Sequence, residues 1–478
     1  MEHPKENLES KEKISMKDDP MMTQPIDKLL KRFAIPSVIA MLVSAVYNIV
    51  DQIFIGQGVG LLGNAATNVA FPVVIISVAI ALLLGIGSAS NFNLAMGRGE
   101  KSTASKYVGN AILYMAIFGT LLLLTVLLFL DDLLILFGTT EQVLPYAKTY
   151  LGITVFGLPC IIFVTGGANL VRADGSPKRS MMIILAGAVL NTILDPLFIF
   201  VFGWGIAGAA WATVIGQVVS TLMVFSYFRN FKSVVLTKES FIPHWHYFKT
   251  ICSLGIASFF NQIALSIVQI VMNNTLRHYG ALSPYGAEIP LASAGIVIKI
   301  HMLIFAISIG IAQGNQPIVG FNYGAKNYDR VKEAVKLAIV SATMISTVGF
   351  LMFQFFPRQI IGLFGTGSEE YFYFASRYLR IFLFMTFING VQPIVATFFT
   401  SIGKASKGLM MSMTRQFVLL IPLILFLPTR FGIEGVMFSG PIADGAAAIL
   451  AITFLRKELK HFGVLKENMP AEGSAVLE

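Results

Sequence analysis

Two aspartates, Asp51 and Asp195, fall inside stretches that are otherwise apolar enough to lie within a lipid bilayer. A buried carboxylate is costly unless it is neutralised or paired, so a membrane chain keeps one for work on ions, protons or substrates. Asn191 precedes Asp195 by four residues and shares its helix face, and Pro196 lacks the N–H that would engage the carbonyl of Thr192, which frees that oxygen. Carboxylate, carboxamide and carbonyl oxygens form a hard-oxygen cluster that suits Na⁺ and equally suits a protonated acid. If Asp51 faces this cluster from a neighbouring helix, two carboxyls meet in low dielectric, and either one holds a proton or both share a cation.

The other candidates for chemistry are fewer. Asp444 lies in one apolar stretch, and Lys299 and His301 lie in another. Intramembrane charges pair or mark pathways, so Asp444 either forms a structural pair with Lys299 or receives a cationic substrate. Cys160 and Cys252 are far apart in apolar runs, which argues against a disulfide framework or a metal cluster. His244 and His246 have a metal-ligand spacing but lack two further ligands, so an interfacial loop is expected there. Gly97-Arg98-Gly99-Glu100-Lys101-Ser102 lacks the Gly-Lys-Ser order that cradles phosphate. Ser88 lacks the final glycine of a nucleophile elbow, and no catalytic constellation emerges, so no enzyme is expected. Phe259, Phe260, Phe384, Phe387 and Phe398 have the chemistry to stack on flat cations, as do adaptable methionines, but lipid contact or packing is the commoner use and none is assigned to a site.

These residues need helices that cross a membrane. The chain has 478 residues, of which 55% are hydrophobic and 13% charged, with mean hydropathy +0.73. Such a surface is unsuited to water. About twelve windows of roughly 20 apolar residues follow one another, from Phe33–Gly56 to Ile433–Leu455. Lys and Arg gather in alternate loops, among them Arg98, Lys101, Arg172, Lys178, Arg229, Lys326, Arg330 and Lys404, whereas Lys148, Arg277 and Arg358 on the other side are offset by Asp131, Glu288 and Glu369. Cytoplasmic loops retain basic residues, so the expectation is a multi-pass protein of the cell (inner) membrane with both termini cytoplasmic. The net charge of +9 then reflects topology and attraction to anionic membrane lipids, with no nucleic-acid partner. The polar first 25 residues have the wrong order for a signal peptide.

The second half repeats the first. Phe202-Gly203-Trp204-Gly205-Ile206-Ala207-Gly208 is answered by Thr429-Arg430-Phe431-Gly432-Ile433-Glu434-Gly435, and Gly97-Arg98-Gly99-Glu100-Lys101 by Gly324-Ala325-Lys326-Asn327-Tyr328. An even number of spans per half makes the repeat parallel, with a pseudo-two-fold axis along the membrane normal and a cavity between the halves. The expected organisation is a polar tail over 1–25, a six-helix lobe over 26–228, a linker over 229–248, a second six-helix lobe over 249–457, and a tail over 458–478.

The specific motifs are Pro36 followed by Tyr47-Asn48-Ile49-Val50-Asp51, then Asn191-Thr192-Ile193-Leu194-Asp195-Pro196, then Gly205-Ile206-Ala207-Gly208-Ala209-Ala210 with Thr213, and Gln316-Pro317-Ile318-Val319-Gly320-Phe321-Asn322-Tyr323-Gly324-Ala325. With these, the chain from about Leu29 to Lys460 resembles the multidrug and toxic compound extrusion (MATE) transporters, near their MepA-type and DinF-type bacterial branches. The resemblance implies a twelve-helix, two-lobed exporter of cationic and lipophilic small molecules, driven by inward H⁺ or Na⁺ and needing no cofactor. It places Asp51, Asn191, Asp195 and Thr213 together as the cation or proton site and Pro36 at a helix bend. One chain containing both lobes suffices, so a monomer is expected. The second half departs from the pattern, with Ile421-Pro422 where the first has Asp195-Pro196. The counterpart of Asp51 reads Val271-Met272-Asn273-Asn274 with no acid, so coupling is expected in the first half alone; the chain also lacks the acid that some members carry on the seventh helix, so their drug-binding residues are not carried over. The rival reading within the same superfamily is a flippase for lipid-linked sugars or cell-wall precursors. That activity favours a cationic cavity, and here the acids outnumber Lys299.

Overall fold

The computed structural model describes residues 19–364 and 368–467, and every regular element among them is helical. This follows from the hydropathy, because a backbone in hydrocarbon must satisfy its polar groups internally. Twelve spans carry the labels used below: α1 Ile26–Gly58, α2 Leu61–Gly97, α3 Lys101–Leu128, α4 Leu144–Ala173, α5 Pro177–Val201, α6 Gly205–Arg229, α7 Trp245–Ala281, α8 Glu288–Gly324, α9 Tyr328–Phe355, α10 Glu369–Ser401, α11 Ala405–Phe431 and α12 Ile433–Glu467. α10 consists of Glu369–Ile388 and Val391–Ser401, bent by 41° at the break.

Each half contains two apolar cores, one towards the end carrying the basic loops and one towards the opposite end. α1 is shared between halves. Its beginning, Ile26, Leu29, Leu30, Phe33 and Ala34, packs with α8, α9 and α10, whereas Ile55 near its far end packs with Val73, Leu151 and Ile199 of the first half. Pro36 lies just beyond the first set and is buried inside the helix. α7 does the same in reverse, with Ile251 in the first half's core and Met272 and Leu276 in the second's.

Small residues set how closely the halves approach. A Cβ on Gly87 would meet Ile251 O, one on Gly255 would meet Leu83 O, and Cβ atoms on Gly310 and Gly314 would strike the backbone of Val38 and Ala34. Gly97 and Gly324 are pressed together in the same way. All lie in the half of the helices nearer the basic loops, so the halves are sealed at that end by backbone-to-backbone packing, as small residues permit in lipid. Towards the other end Asn48, Asn273, Asn274 and Lys299 are exposed.

Several expected boundaries move. The tail placed at 458–478 begins later, because α12 continues to Glu467 with Glu458 and Phe462 buried; residues 468–478 lie outside the described residues. Glu458 is held by Lys404, and by Lys407 at 2.7 Å, so the charged end of α12 is neutralised by the start of α11. Within the expected 1–25 tail, residues 1–18 lie outside the described residues, but Pro20–Thr23 is a helical turn with Met21 in the core. Arg330 Nη2 donates to Met21 O at 3.0 Å and Gln24 O at 2.6 Å, and Asn322 Nδ2 donates to Met21 O at 3.2 Å. The linker between Arg229 and Trp245 is pinned by Asn110, which donates to Ser240 O and Ile242 O and accepts from His244 N. It is pinned again by Asp174, which accepts from Lys232 N and Ser233 N.

Candidate functional site

Asp51 projects from the far part of α1, Asn191 and Asp195 from one face of α5, and Thr213 from the third turn of α6, where the helix turns back after Gly203 and Gly205. Both glycines have positive φ, at 68° and 54°, which suits residues without a side chain. Beyond Pro196, α5 widens into π-type turns over Leu197–Val201, and such turns frequently accompany functional positions.

The four residues expected to form the cation or proton site are together and buried. Asp195 is fully buried, Asn191 is 2% exposed, and Asp51 and Thr213 are 8% and 9% exposed. Asn191 Nδ2 donates to Thr213 Oγ1 at 3.1 Å and to Asp195 Oδ1 at 3.3 Å. The Asp51 and Asp195 carboxyls are side by side, and the Tyr47 and Tyr150 hydroxyls close the group around Thr213. No Lys, Arg or His is ion-paired to either acid among the described residues. Asp51 Oδ1, Asp195 Oδ2 and Asn191 Oδ1 are buried with no hydrogen-bond partner. Buried acceptors are ordinarily satisfied, so three on adjoining side chains call for a proton donor or a hard cation. The donor set fits H⁺ or Na⁺ equally, being all oxygen and carrying two carboxyls. Tyr150 was not foreseen as part of this group. Its only signal in the sequence was a phenol inside an otherwise apolar span.

The second half differs from expectation. Asp444 is paired with Arg415, Nε to Oδ1 at 2.5 Å, both buried, and not with Lys299, which is exposed and forms no ion pair among the described residues. Sequence reasoning missed Arg415 as an intramembrane residue, although a basic side chain eleven residues into α11 was the available signal. π-type turns over Thr414–Leu420 carry it into the bundle towards α12. His301 borders the pair, lies 2.8 Å from Asn389 Nδ2 through Nε2, and stacks on Phe305. Of the five phenylalanines considered, Phe398 is core-bound with Phe399 and Phe462, whereas Phe384 is half exposed and packs edge-on to Phe350, as does Phe387.

The sequence model of the MatE family matches residues 36–197 and 257–426, one match in each half. The chain belongs to the MatE family. The MatE chain described here is 27% identical to Multidrug export protein MepA of Staphylococcus aureus (strain MSSA476) over 468 residues, covering 97% of this chain and 100% of that one. It is 25% identical to Multidrug export protein MepA of Staphylococcus saprophyticus over 441 residues, covering 90% and 94%. Among solved structures it is similar to the outward-facing conformation of a multidrug resistance MATE family transporter of the MOP superfamily, at 26% identity and TM-score 0.86, covering 93% of this chain and 98% of that one. It is also similar, at 25% identity, TM-score 0.85 and the same coverage, to a MOP superfamily transporter from Pyrococcus furiosus for which a reversed polarity of the binding pocket suggests a different function.

Proposed function

We propose that this MatE protein is a multidrug efflux antiporter of the cell membrane, exporting cationic and lipophilic compounds in exchange for inward H⁺ or Na⁺ bound at Asp51, Asn191, Asp195 and Thr213. The observation that carries this reading is the buried, base-free pair of carboxyls with three unsatisfied oxygens. Its environment tolerates the pair only with a proton or cation present.

Both termini and the basic loops belong on the cytoplasmic side, and the glycine-sealed end then closes the path inward while the exposed Asn48, Asn273 and Asn274 lie towards the outer end. In that state the coupling cation enters from outside. Neutralising Asp51 removes its claim on Asp195 and frees α1 to repack. Because α1 begins in the core of the second half and ends in that of the first, a bend at Pro36 would move the one relative to the other. Drug would leave outward, and the cation would be released inward once the seal parts. Export by a single chain is expected, with membrane lipids around it.

The rival reading, a flippase for lipid-linked precursors, draws support from the exposed Lys299 and from the pocket polarity described for the Pyrococcus protein. Arg415 adds nothing to it, being consumed by Asp444. Liposomes loaded with ethidium and carrying the purified protein test the two readings, with a pH or Na⁺ gradient imposed separately. Efflux under one gradient establishes antiport and names its cation. Retention of ethidium under both, with folded protein, favours the flippase.

A further inference from the structure

The two halves treat their buried intramembrane acids in opposite ways, Asp51 on α1 and Asp195 on α5 in the first and Asp444 on α12 in the second. In the first, the two carboxyls adjoin each other and neutral amide and hydroxyl groups, and leave oxygens unsatisfied. In the second, Asp444, 4% exposed, is met by the guanidinium of Arg415, 6% exposed, at hydrogen-bond distance. His301 also borders that pair and is engaged with Asn389. Lys299, two residues away along α8, points elsewhere, to the exposed surface.

We infer that Arg415 is a resident cation: it neutralises Asp444 as an exchangeable H⁺ or Na⁺ would neutralise Asp51 and Asp195. The second half is thereby held permanently in the cation-loaded condition, and only the first half cycles. This rests on the coupling role proposed for the first half. It excludes Asp444 as the receptor for a cationic drug, since its charge is already matched by a fixed guanidinium that cannot lose its proton at ordinary pH. It also makes Arg415 a positioning residue for coupling, one that sets how many cations move per cycle without binding any. The π-type turn at Thr414–Leu420 is the local device, because an added residue per turn rotates Arg415 off the lipid-facing surface and towards α12.

The test counts cations. Equilibrium binding of radioactive Na⁺, and of protons in a pH-stat, would be measured on purified full-length protein, on Arg415→Gln, on Arg415→Lys and on Arg415→Gln/Asp444→Asn. Removing Arg415 converts Asp444 into a second exchangeable site, so Arg415→Gln should bind one further cation per chain, whereas Arg415→Lys and the double variant should match the parent. An unchanged count in folded Arg415→Gln overturns the proposal. Because any carboxyl buried without its partner takes up a proton, the count is paired with the cation-to-ethidium ratio of gradient-driven efflux: a raised ratio in Arg415→Gln is expected, and an unchanged ratio overturns the proposal. A second measurement needs no variant. Dicyclohexylcarbodiimide modifies protonated carboxyls in apolar surroundings, so peptide mass spectrometry of the labelled parent should find Asp51 or Asp195 modified and Asp444 untouched. Labelling of Asp444 as fast as Asp195, with gradient-driven efflux intact, overturns the resident cation alone. Resistance of all three, with efflux indifferent to both gradients, overturns the coupling reading and this inference with it.

Discussion

The two halves share a helix order and a turn signature, with positive-φ glycines at Gly175 and Gly403 after the fourth and tenth spans and at Gly205 and Gly432 entering the sixth and twelfth. They differ in what their acids touch. Asp51 and Asp195 have an amide, a hydroxyl and phenols for company, while Asp444 has a guanidinium. The same buried charge is therefore conditional in one half and settled in the other. Under the coupling role proposed above, a duplicated scaffold keeps one exchangeable pair of acids and fixes the acid of the other half.

The largest effects should come from breaking the conditional side. Asp51→Asn and Asp195→Asn remove the groups that need a cation, and efflux under either gradient should fall to that of empty liposomes while size-exclusion profiles stay parental. Next is the fixed side. Arg415→Met leaves Asp444 buried and unpaired, and breaking a buried pair costs about 3–5 kcal/mol, visible as a lowered melting temperature in detergent. Arg415→Met/Asp444→Leu removes both charges and should recover most of that loss. A smaller change should follow from wedging the seal: Gly314→Val puts side-chain atoms where Ala34 and Phe33 backbone now lies, so spin labels across the basic end should report a wider separation. The least is Lys299→Met. An exposed charge without a partner contributes little to stability, about 0–1 kcal/mol, so the melting temperature should be unchanged.

The difference between the halves was half legible in the sequence. Asn191 and Asp195 declared themselves because four residues on one helix define one face, and the missing Asp195-Pro196 counterpart at Ile421-Pro422 already removed a second coupling site. The spans were readable for the same reason, since hydropathy is local. What stayed hidden depends on registers between helices. Arg415 and Asp444 lie 29 residues apart on adjacent antiparallel spans, and a π-type turn shifts the face that Arg415 presents, which no helical spacing predicts. Tyr150 enters the first site from α4 in the same way. The end of α12 was misjudged because Arg456 to Lys460 look like a solvated tail, yet Glu458 is neutralised by Lys404 at the N-cap of α11 and Lys407 in its first turn.

The central claim is that one half couples and the other does not. Gradient-driven ethidium efflux from liposomes, compared between Asp195→Asn and Arg415→Gln/Asp444→Asn at matched amounts of folded protein, addresses it most directly. The account predicts no driven efflux from the first and driven efflux from the second. Efflux retained by Asp195→Asn and lost by the double variant would place coupling in the wrong half and contradict it.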